Sequence, residues 1–314
     1  MTGVFPFIVR RLLAAIPVVL LVTIATFWLG RCAPGDPITA RTGGKASPET
    51  VARLKHQLHL DDNVAVQYVR YMSEVVHGDF GTSQRHVNQS VSSIIFPKMW
   101  ISLQENIYPF ILTFTIGMPI GIYLAMRRGH WQDPSVTALL LILSAIPVVI
   151  LIPTLQVLFA AKWKLLPVAG WHGIFSRYII LPTAVLTVPG LAGVARLMRI
   201  SMIQVMDDDF VRTARAKGLQ ERIVVLRHMV RNAMLPMATA IVSSLFFLFI
   251  GSFFVESLFG IPGIGAESIA TINGRDYDEI MAITIISTVA FIVANMAVDI
   301  AYTFIDPRIR LDAG

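Results

Sequence analysis

Histidine is the residue type that could most readily supply a base or a metal ligand in this chain, which has seven of them. They are His56, His59, His77, His86, His130, His172 and His228, and all lie outside the six long apolar segments of the sequence. An intramembrane serine protease would therefore lack its base, and no H-E-x-x-H pair is present for an intramembrane zinc protease. His56 and His59 are spaced for one helical face, but no third ligand accompanies them, so no metal site is predicted.

A glycine-rich segment bears on nucleotide chemistry. Gly43-Gly44-Lys45-Ala46-Ser47 resembles a phosphate-binding loop only superficially, because the first glycine and the Ser or Thr directly after the lysine are missing. A process driven by ATP would therefore need its hydrolysing site on another chain. The single cysteine, Cys32, excludes an internal disulfide framework and a thiolate metal cluster built from this chain alone.

The composition predicts an integral membrane protein. Of the 314 residues, 55% are hydrophobic and only 15% are charged, and the mean hydropathy is +0.66. No ordinary water-soluble core accounts for so many apolar residues. The formal net charge of +6 comes mostly from connections between apolar segments, where orientation in a bilayer explains it without a nucleic-acid partner.

Six apolar segments are long enough to cross the roughly 30 Å of hydrocarbon in a bilayer. They cover approximately residues 12 to 30, 101 to 126, 136 to 161, 178 to 197, 234 to 255 and 280 to 305. Their continuity predicts helices rather than barrel strands, because a helix satisfies its own backbone polar groups in lipid. The first segment lacks a clear signal-peptide cleavage site, so it is predicted to be retained as an anchor.

Three of these segments contain two prolines each, and every proline frees a backbone carbonyl and permits a bend. The prolines are Pro109, Pro119, Pro147, Pro153, Pro182 and Pro189. Bent helices can surround a path that opens and closes, but they also occur in static bundles. Both interpretations remain open.

The distribution of Arg and Lys predicts the orientation of the helices. Basic pairs precede the first span and follow the second and the last: Arg10, Arg11, Arg127, Arg128, Arg308 and Arg310. The connection 196–233 carries eight more basic residues, whereas the connection 256–279 has only Arg275. The positive-inside rule therefore places both termini in the cytoplasm, although the basic loop 162–177 runs against the trend.

Three regions follow from this arrangement. Residues 1 to 30 are the cytoplasmic N-terminus and first membrane helix, and residues 99 to 314 are the membrane core with a cytoplasmic loop 198–233. Residues 31 to 98 are too many for a bare connection, and Ser47-Pro48-Glu49 marks a helix start within them. The middle region is therefore predicted to be a small helical insertion outside the membrane.

A second helix of this insertion is predicted by an apolar stripe at helical spacing that ends at Gly78. The stripe consists of Val66, Val69, Met72, Val75 and Val76. It either packs as a cap over the membrane helices or serves as a binding site for another protein.

Two carboxylates lie within the predicted spans. Glu105 is near the outer end of the second span, and Asp299 is toward the inner end of the sixth. Intramembrane carboxylates are candidates for function. Glu105 either lines a polar path or pairs locally, and Asp299 is expected to pair with a cytoplasmic arginine.

Residues 207 to 219 form a polar segment between two spans. Acidic residues at its start, basic residues near its end and Gly218 just beyond predict a short capped helix aligned with its own macrodipole. Its apolar side chains could form a docking face for another protein, with basic side chains at the rim. The apolar set is Phe210, Val211, Ala214 and Leu219, and the basic set is Arg212, Arg215 and Lys217. The alternative is a solvated basic loop that serves only the positive-inside rule.

A glycine-rich turn is predicted directly after the fifth span. Gly260, Gly263 and Gly265 surround Pro262, with Glu256 at the edge of the turn. The turn is either an outer gate or a compact connection that returns the chain to the membrane.

Four stretches of sequence carry a resemblance to a known family. They are Arg10-Arg11-Leu12 leading to Ala33-Pro34-Gly35-Asp36-Pro37; Leu58-His59-Leu60-Asp61 with Gln67-Tyr68 and His77-Gly78-Asp79-Phe80-Gly81; residues 212 to 236, which end in Leu235-Pro236; and Phe254-Val255-Glu256-Ser257-Leu258-Phe259-Gly260-Ile261-Pro262-Gly263-Ile264-Gly265. Together they resemble the binding-protein-dependent ABC importer permeases, specifically the B-type membrane subunit of dipeptide, oligopeptide and nickel importers.

The resemblance implies an all-α membrane protein with six transmembrane helices of the type I importer kind and a small helical extracytoplasmic insertion. It implies a non-catalytic subunit of a bacterial inner-membrane importer that binds no cofactor itself. The implied partners are a homologous C-type permease, two ATP-binding subunits that hold ATP and Mg, an external substrate-binding protein and membrane lipid. The implied substrate is a dipeptide or oligopeptide, with a nickel or metal-chelate complex as the alternative.

The resemblance also assigns the candidate site residues. Those implied to couple to the ATPase are Asp209, Phe210, Arg212, Thr213, Ala214, Lys217 and Gly218. Arg212-Thr213-Ala214 stands where the general family pattern begins Glu-Ala-Ala. The candidates for a translocation path or outer gate are Glu105, Glu256, Gly260, Pro262 and Gly263.

Two hypotheses of other classes remain. An ion-coupled secondary carrier would use Glu105 or Asp299, although a clearer midplane site is expected for such a carrier. A non-transporting scaffold would bind the ATPase without any flux of substrate.

Overall fold

A computed structural model of the chain describes residues 4–32, 47–57, 61–86 and 89–305. Within these residues the structure is almost entirely helical, and the one extended pairing is an isolated antiparallel bridge between Thr82 and Ser90. The prediction of an all-α protein is therefore confirmed.

The described helices are numbered in chain order. They are α1 (Val4–Cys32), α2 (Pro48–Gln57), α3 (Val64–Val76), α4 (Val91–Met126), α5 (Gln132–Ala145), α6 (Val148–Leu155), α7 (Ile180–Met206), α8 (Asp209–Ala216), α9 (Glu221–Ile223), α10 (Val230–Ile250), α11 (Phe253–Phe259), α12 (Ile264–Gly274) and α13 (Tyr277–Ile305). A π turn extends α6 (Gln156–Lys162), a second π turn joins α9 to α10 (Val224–Met229), and a 3-10 turn precedes α7 (Arg177–Ile179).

Five described helical runs are long and apolar enough to cross a membrane. They are Val9–Gly30, Val91–Met126, Arg177–Met206, Glu221–Ile250 and Tyr277–Ile300. Two further helix pairs pass the same test only when each is joined across a bend, α5 with Val148–Lys162 and α11 with α12. Six of these seven correspond to the predicted spans, and the pair α11 and α12 is additional.

The third predicted span is broken rather than continuous. Its two halves meet at a bend of 90°, where Ile146 has φ −71° and ψ 120° and Pro147 precedes α6. A residue before proline is pushed out of the helical region, which explains the break. The predicted bend occurs at Pro147, whereas Pro109, Pro119 and Pro189 lie inside unbroken helices.

Several helices extend beyond the predicted apolar segments. α4 begins at Val91, α7 ends at Met206, and the helical run before α10 begins at Glu221. His228 lies in a π turn of that run, before the apolar segment 234–255 that was predicted to span the membrane. A helix can continue past its apolar part because its backbone hydrogen bonds do not depend on the surrounding solvent.

Residues 1–101 and 262–293 form one compact unit. Within it, α3 packs against α1 and α13 through a cluster that contains Phe27, Tyr71 and Met281. The Tyr68 and Thr23 hydroxyls are 2.8 Å apart, and the Tyr68 ring meets Phe27 edge to face. Burial raises the pKa of the Tyr71 phenol, which therefore stays neutral at physiological pH.

Only part of the predicted apolar stripe on α3 packs as a cap, and a binding role for the exposed part stays a prediction. Val66, Val69 and Val76 are 50%, 66% and 80% exposed, whereas Met72 and Val75 pack into the cluster. The helix rotates its tyrosines inward because each ring buries more surface than a valine and Tyr68 also finds a hydroxyl partner. The predicted start of α2 is confirmed, with the Thr50 amide donating to the Ser47 hydroxyl at 3.3 Å.

The same unit contains an ionic cluster around Glu267 on α12. Its carboxylate lies 2.9 Å from Arg85 Nη2 and 2.7 Å from Lys98 Nζ. Nearby, the buried carboxylate of Asp276 accepts from the Ser83 hydroxyl at 2.5 Å and from the Arg85 amide at 2.9 Å. These bonds hold residues 83–86 against α12 and the start of α13.

The described residues 102–261 and 294–305 belong to the other compact unit. Its main core lies where α4, α7, α8, the π turn and α10 meet. The buried members are Phe114, Ala125, Val194, Met198, Met202, Val211, Ala214, Val224, Val225, Met229, Ala233 and Met237. Four of them are fully buried methionines, whose unbranched side chains adapt to irregular gaps.

Small residues bring α4 and α7 close together in this unit. A Cβ added to Gly121 would lie 2.5 Å from the Ala195 carbonyl oxygen and 2.6 Å from Met198 Cβ. One added to Gly117 would lie 2.9 Å from Val194 Cγ1. The two glycines form a G-x-x-x-G pattern, which lets helix backbones approach closely in a membrane.

Candidate functional site

The predicted helix in the polar segment 207–219 is confirmed as α8. It runs from Asp209 to Ala216, with Asp208 at the N-terminal cap position in extended conformation. The Asp208 side chain makes no capping hydrogen bond, so the predicted side-chain cap is wrong. Asp209 nevertheless lies in the first turn and Arg215 in the last, an order that suits the helix macrodipole.

Gly218 ends α8 as predicted. Its φ is +73°, in the region that glycine adopts readily, and its amide donates to the Arg215 carbonyl at 2.9 Å. A Cβ at this position would meet no other atom within 4 Å. The backbone conformation, rather than lack of space, is therefore what requires glycine.

The inner face of α8 packs against the chain's own core. Val211 is fully buried and Ala214 is 4% exposed, and both belong to the cluster that contains Met198 and Met202 of α7. The predicted docking face therefore needs correction at these two residues, because they fasten α8 to its support and do not face outward.

The outer face of α8 carries the remaining predicted coupling residues. Phe210 is 40% exposed, and the side chains of Asp209, Arg212, Thr213 and Lys217 are also exposed. Arg212 Nη1 lies 3.7 Å from Asp209 Oδ1 on the same face. A surface with an exposed aromatic ring and flexible basic side chains can bind in a groove that is acidic and partly apolar.

A clamp fixes α8 to the helix that follows it. Arg215 donates to Glu221 through Nε at 3.2 Å and through Nη2 at 2.7 Å. The hydrogen bond to Glu221 raises the pKa of Arg215, whose guanidinium stays charged. Val224 and Val225 of the adjacent π turn are buried in the same core as Val211. α8 is therefore held at both its inner face and its C-terminal end.

The second group of predicted site residues centres on a corner between α10 and α11. Glu256 on α11 is fully buried, and its Oε1 accepts from the Ser102 hydroxyl at 2.6 Å and from the Ser252 amide at 3.3 Å. Gly251 turns the chain at the corner with φ +73° and ψ 178°. This conformation is adopted almost only by glycine.

Glu105 of α4 lies against this corner. Its side chain is fully buried, and its carboxyl group adjoins that of Glu256. Both Glu105 carboxyl oxygens are buried without a hydrogen-bond partner among the described residues, so the local pairing that was one of the two alternatives for Glu105 is not shown. A role of the two glutamates in a translocation path stays a prediction.

The glycine-rich turn that was predicted after the fifth span connects α11 to α12. Gly260 ends α11 in left-handed conformation with φ +66°, and the Ile261 amide donates to the Glu256 carbonyl at 2.8 Å. Pro262 follows, and Gly263 starts α12 by accepting from the Glu267 amide at 3.1 Å. The turn is therefore as predicted, and its role as an outer gate stays a prediction.

Sequence reasoning missed two features of this unit. The G-x-x-x-G pattern at Gly117 and Gly121 is visible in the sequence and could have predicted the close contact of α4 with α7. The ion pair between Asp133 of α5 and Arg199 of α7 has no such signal, because its partners are far apart in the chain.

The fold is that of a membrane protein with a short helix, α8, whose outer face is exposed between two long apolar helical runs. Residues 117–311 match the family described as binding-protein-dependent transport system inner membrane component. Residues 4–106 match the N-terminal region of the same kind of membrane component. The chain belongs to this family of multi-pass inner-membrane permease subunits.

Curated relatives agree with this assignment. The chain is 34% identical over 304 residues to the oligopeptide transport system permease protein OppB of Haemophilus influenzae, covering 97% of this chain and 99% of that protein. The OppB of Escherichia coli K12 is 34% identical with the same coverage. The dipeptide transport system permease protein DppB of Bacillus subtilis is 33% identical over 305 residues, covering 97% and 98% of the two chains.

A solved structure supports the fold. A chain from the inward-facing MetNI methionine ABC transporter superposes with a TM-score of 0.58 at 17% identity, covering 68% of this chain and 97% of the other. The fold is thus that of a type I importer permease, as predicted.

Proposed function

We propose that this chain forms half of the translocation pathway of an ATP-driven importer for dipeptides or oligopeptides. The observation that carries the proposal is the match to peptide-importer permeases over 97% of the chain. The exposed face of α8 supplies a contact through which another subunit can act. Peptides are favoured over nickel complexes because these relatives are named for peptide transport.

The proposed complex contains this chain, a homologous C-type permease, two ATP-binding subunits and an external binding protein that delivers the peptide. ATP and Mg belong to the ATP-binding subunits in this proposal. The proposed orientation places α8 and both termini in the cytoplasm, and the basic residues of the connection 196–233 support it. The exposed side chains Phe210, Arg212, Thr213 and Lys217 then face the ATP-binding subunit.

In the proposed mechanism this chain performs no covalent chemistry. When the ATP-binding subunits close, they displace α8, and α8 moves with the core to which Val211 and Ala214 attach it. The permease bundle then shifts between inward and outward openings, provided that the partner contacts α8 differently in the two states. The Arg215–Glu221 clamp limits rotation of α8 on its support.

Reconstitution of the whole complex in proteoliposomes tests this function. With ATP and the external binding protein, we expect uptake of a labelled oligopeptide, and we expect no uptake when ATP is omitted or the binding protein is left out. Uptake that persists without ATP and collapses with an ion gradient would instead select a secondary carrier. Association of the ATP-binding subunits with no peptide flux would select a scaffold.

Replacing Gly218 with valine is expected to weaken the association of the ATP-binding subunits while leaving membrane insertion intact. A β-branched residue at φ +73° costs about 1 to 2 kcal/mol and reorients the end of α8. Gly218→Asn is the matched control, because asparagine tolerates this conformation and the site has space for a side chain. Affinity purification of the tagged chain measures the amount of bound ATPase. Equal recovery with valine and with asparagine would contradict the assigned role of Gly218.

A further inference from the structure

A two-pronged ion pair connects the beginning of α5 to the C-terminal half of α7. Arg199 donates to Asp133 through Nε at 2.6 Å and through Nη2 at 2.5 Å. Asp133 is 6% exposed, and only about a quarter of the Arg199 side chain is exposed, at 26%. Two parallel hydrogen bonds to one carboxylate hold the two helices against both sliding and rotation, whereas a single hydrogen bond would still allow rotation.

The position of each partner relates this pair to the two functional elements of the unit. Arg199 lies on α7, whose last residue, Met206, is separated from α8 by Asp207 and Asp208 alone. Asp133 is the second residue of α5, the first half of the bent span. The pair therefore joins the helix that supports α8 to the span that contains the bend at Pro147.

This end of α7 and the inner face of α8 contribute to one buried cluster. Val211 and Ala214 of α8 share one buried cluster with Met198 and Met202, which flank Arg199 on α7. On the same stretch, the Arg199 backbone amide approaches Gly121 so closely that an added Cβ would be 3.0 Å away. α8 packs mainly against the π turn Val224–Met229, and through the shared cluster a displacement of α8 can reach the stretch of α7 that contains Arg199.

We propose that Arg199 is a positioning residue that transmits displacement of α8, through Asp133, to the bent span formed by α5 and α6. This inference rests on the proposed function, because it assumes that a partner subunit pushes on α8. The two hydrogen bonds between Arg199 and Asp133 fix the register of α5 on α7 at this point. Without the two-pronged ion pair between Arg199 and Asp133, ATP hydrolysis is expected to continue while it no longer moves the bent span efficiently.

The test uses the complete transport complex in proteoliposomes and two single variants. Asp133→Asn removes the charge, and Arg199→Lys keeps the charge but cannot form the two-pronged ion pair. We expect both to assemble with the ATP-binding subunits and to hydrolyse ATP, while the peptide taken up per ATP hydrolysed falls by roughly tenfold. Arg70→Lys is the matched control, because Arg70 forms an exposed ion pair with Asp62 at 3.1 Å. This control should transport as the unaltered complex does.

A double variant separates transmission from stability. Asp133→Arg combined with Arg199→Asp restores an ion pair with exchanged ends, and it should recover part of the uptake per ATP that the single variants lose. Unchanged uptake per ATP in the assembled single variants would overturn the proposal. Losses that follow only the amount of assembled complex would overturn it as well, since they indicate a purely structural pair.

The failure of the proposed function would look different. An unaltered complex that hydrolyses ATP without any peptide uptake would refute the transport function itself, and with it the role of Arg199. An unaltered complex that transports, beside single variants with normal uptake per ATP, would refute only the role of Arg199.

Discussion

Replacing Gly121 with alanine is expected to force α4 away from α7 and to lower the free energy of unfolding by about 3 kcal/mol. The added methyl group would lie 2.5 Å from the Ala195 carbonyl oxygen and 2.6 Å from Met198 Cβ. The first of these is helix backbone, which cannot rotate aside, so the two helices must separate. In a membrane their association depends on close packing, because lipid supplies no hydrophobic drive between helices.

Gly193→Ala is the matched control for this prediction. Gly193 lies on α7, and a Cβ there would meet no other atom within 4 Å. Alanine at this exposed helical position is expected to leave stability unchanged or slightly higher. The measurement is the fraction of purified chain that stays monodisperse in detergent after heating. If the two alanine variants withstand heating equally, the close contact of α4 with α7 does not stabilise the protein.

Replacing Gly251 with alanine is expected to disrupt the corner between α10 and α11 at a cost of about 4 kcal/mol. Its backbone, at φ +73° and ψ 178°, is strained for any other residue. The new methyl group would also collide with the Glu256 carboxylate and lie 2.7 Å from the Ser102 hydroxyl oxygen. Glu256 would have to leave its place beside Ser102, which would leave a buried carboxyl group with fewer partners.

Gly129→Ala is the matched control for the Gly251 variant, because it places alanine at a positive φ without a steric collision. Gly129 has φ +85° but no atom within 4 Å of an added Cβ, so its replacement carries a backbone cost of about 1 to 2 kcal/mol alone. The excess loss in Gly251→Ala then combines the collision at the corner with the greater backbone strain at ψ 178°. Combining Gly251→Ala with Glu256→Ala removes the colliding carboxylate, and the double variant is expected to lose less than the sum of the single variants. Strict additivity would show that the collision contributes nothing.

Glu105 and Glu256 are both fully buried, and Glu256 accepts a hydrogen bond from Ser102. This burial changes the expected effect of substitutions at the two glutamates. From the sequence alone, Glu105 and Glu256 are candidates for charged side chains that line a translocation path. In the structure both side chains are fully buried within one compact unit, and Glu256 accepts from the Ser102 hydroxyl beside the corner between α10 and α11. Substitutions at Glu256 are thus expected to alter folding as well as any gate.

The position and ends of α8 could be predicted from the sequence, but its orientation could not. Acidic residues, basic residues and Gly218 act through local geometry, so their order was sufficient. Phe210, Val211, Ala214 and Leu219 are all apolar, and their spacing does not show which of them meets α7. Only the packing of α7 and the π turn decides that Val211 and Ala214 point inward.

The same reason explains why the packed face of α3 could not be predicted from the sequence. Its valines and its tyrosines both recur at helical spacing, so periodicity alone supports either face. The choice depends on a distant segment, where Phe27 and Thr23 of α1 receive the ring and the hydroxyl of Tyr68. A contact of this kind has no trace in the local sequence.

The sequence by itself determined the class of the protein, the approximate membrane spans, the insertion helices, the short helix α8 and the family. These properties depend on composition, local propensity and motifs, which neighbouring residues express together. Only the tertiary structure decided the bend at Pro147 as opposed to other prolines, the inward face of α8, the burial of Glu105 and Glu256, and the two-pronged ion pair between Asp133 and Arg199. Each of these depends on which helices become neighbours, because burial and pairing are set by residues far apart in the chain.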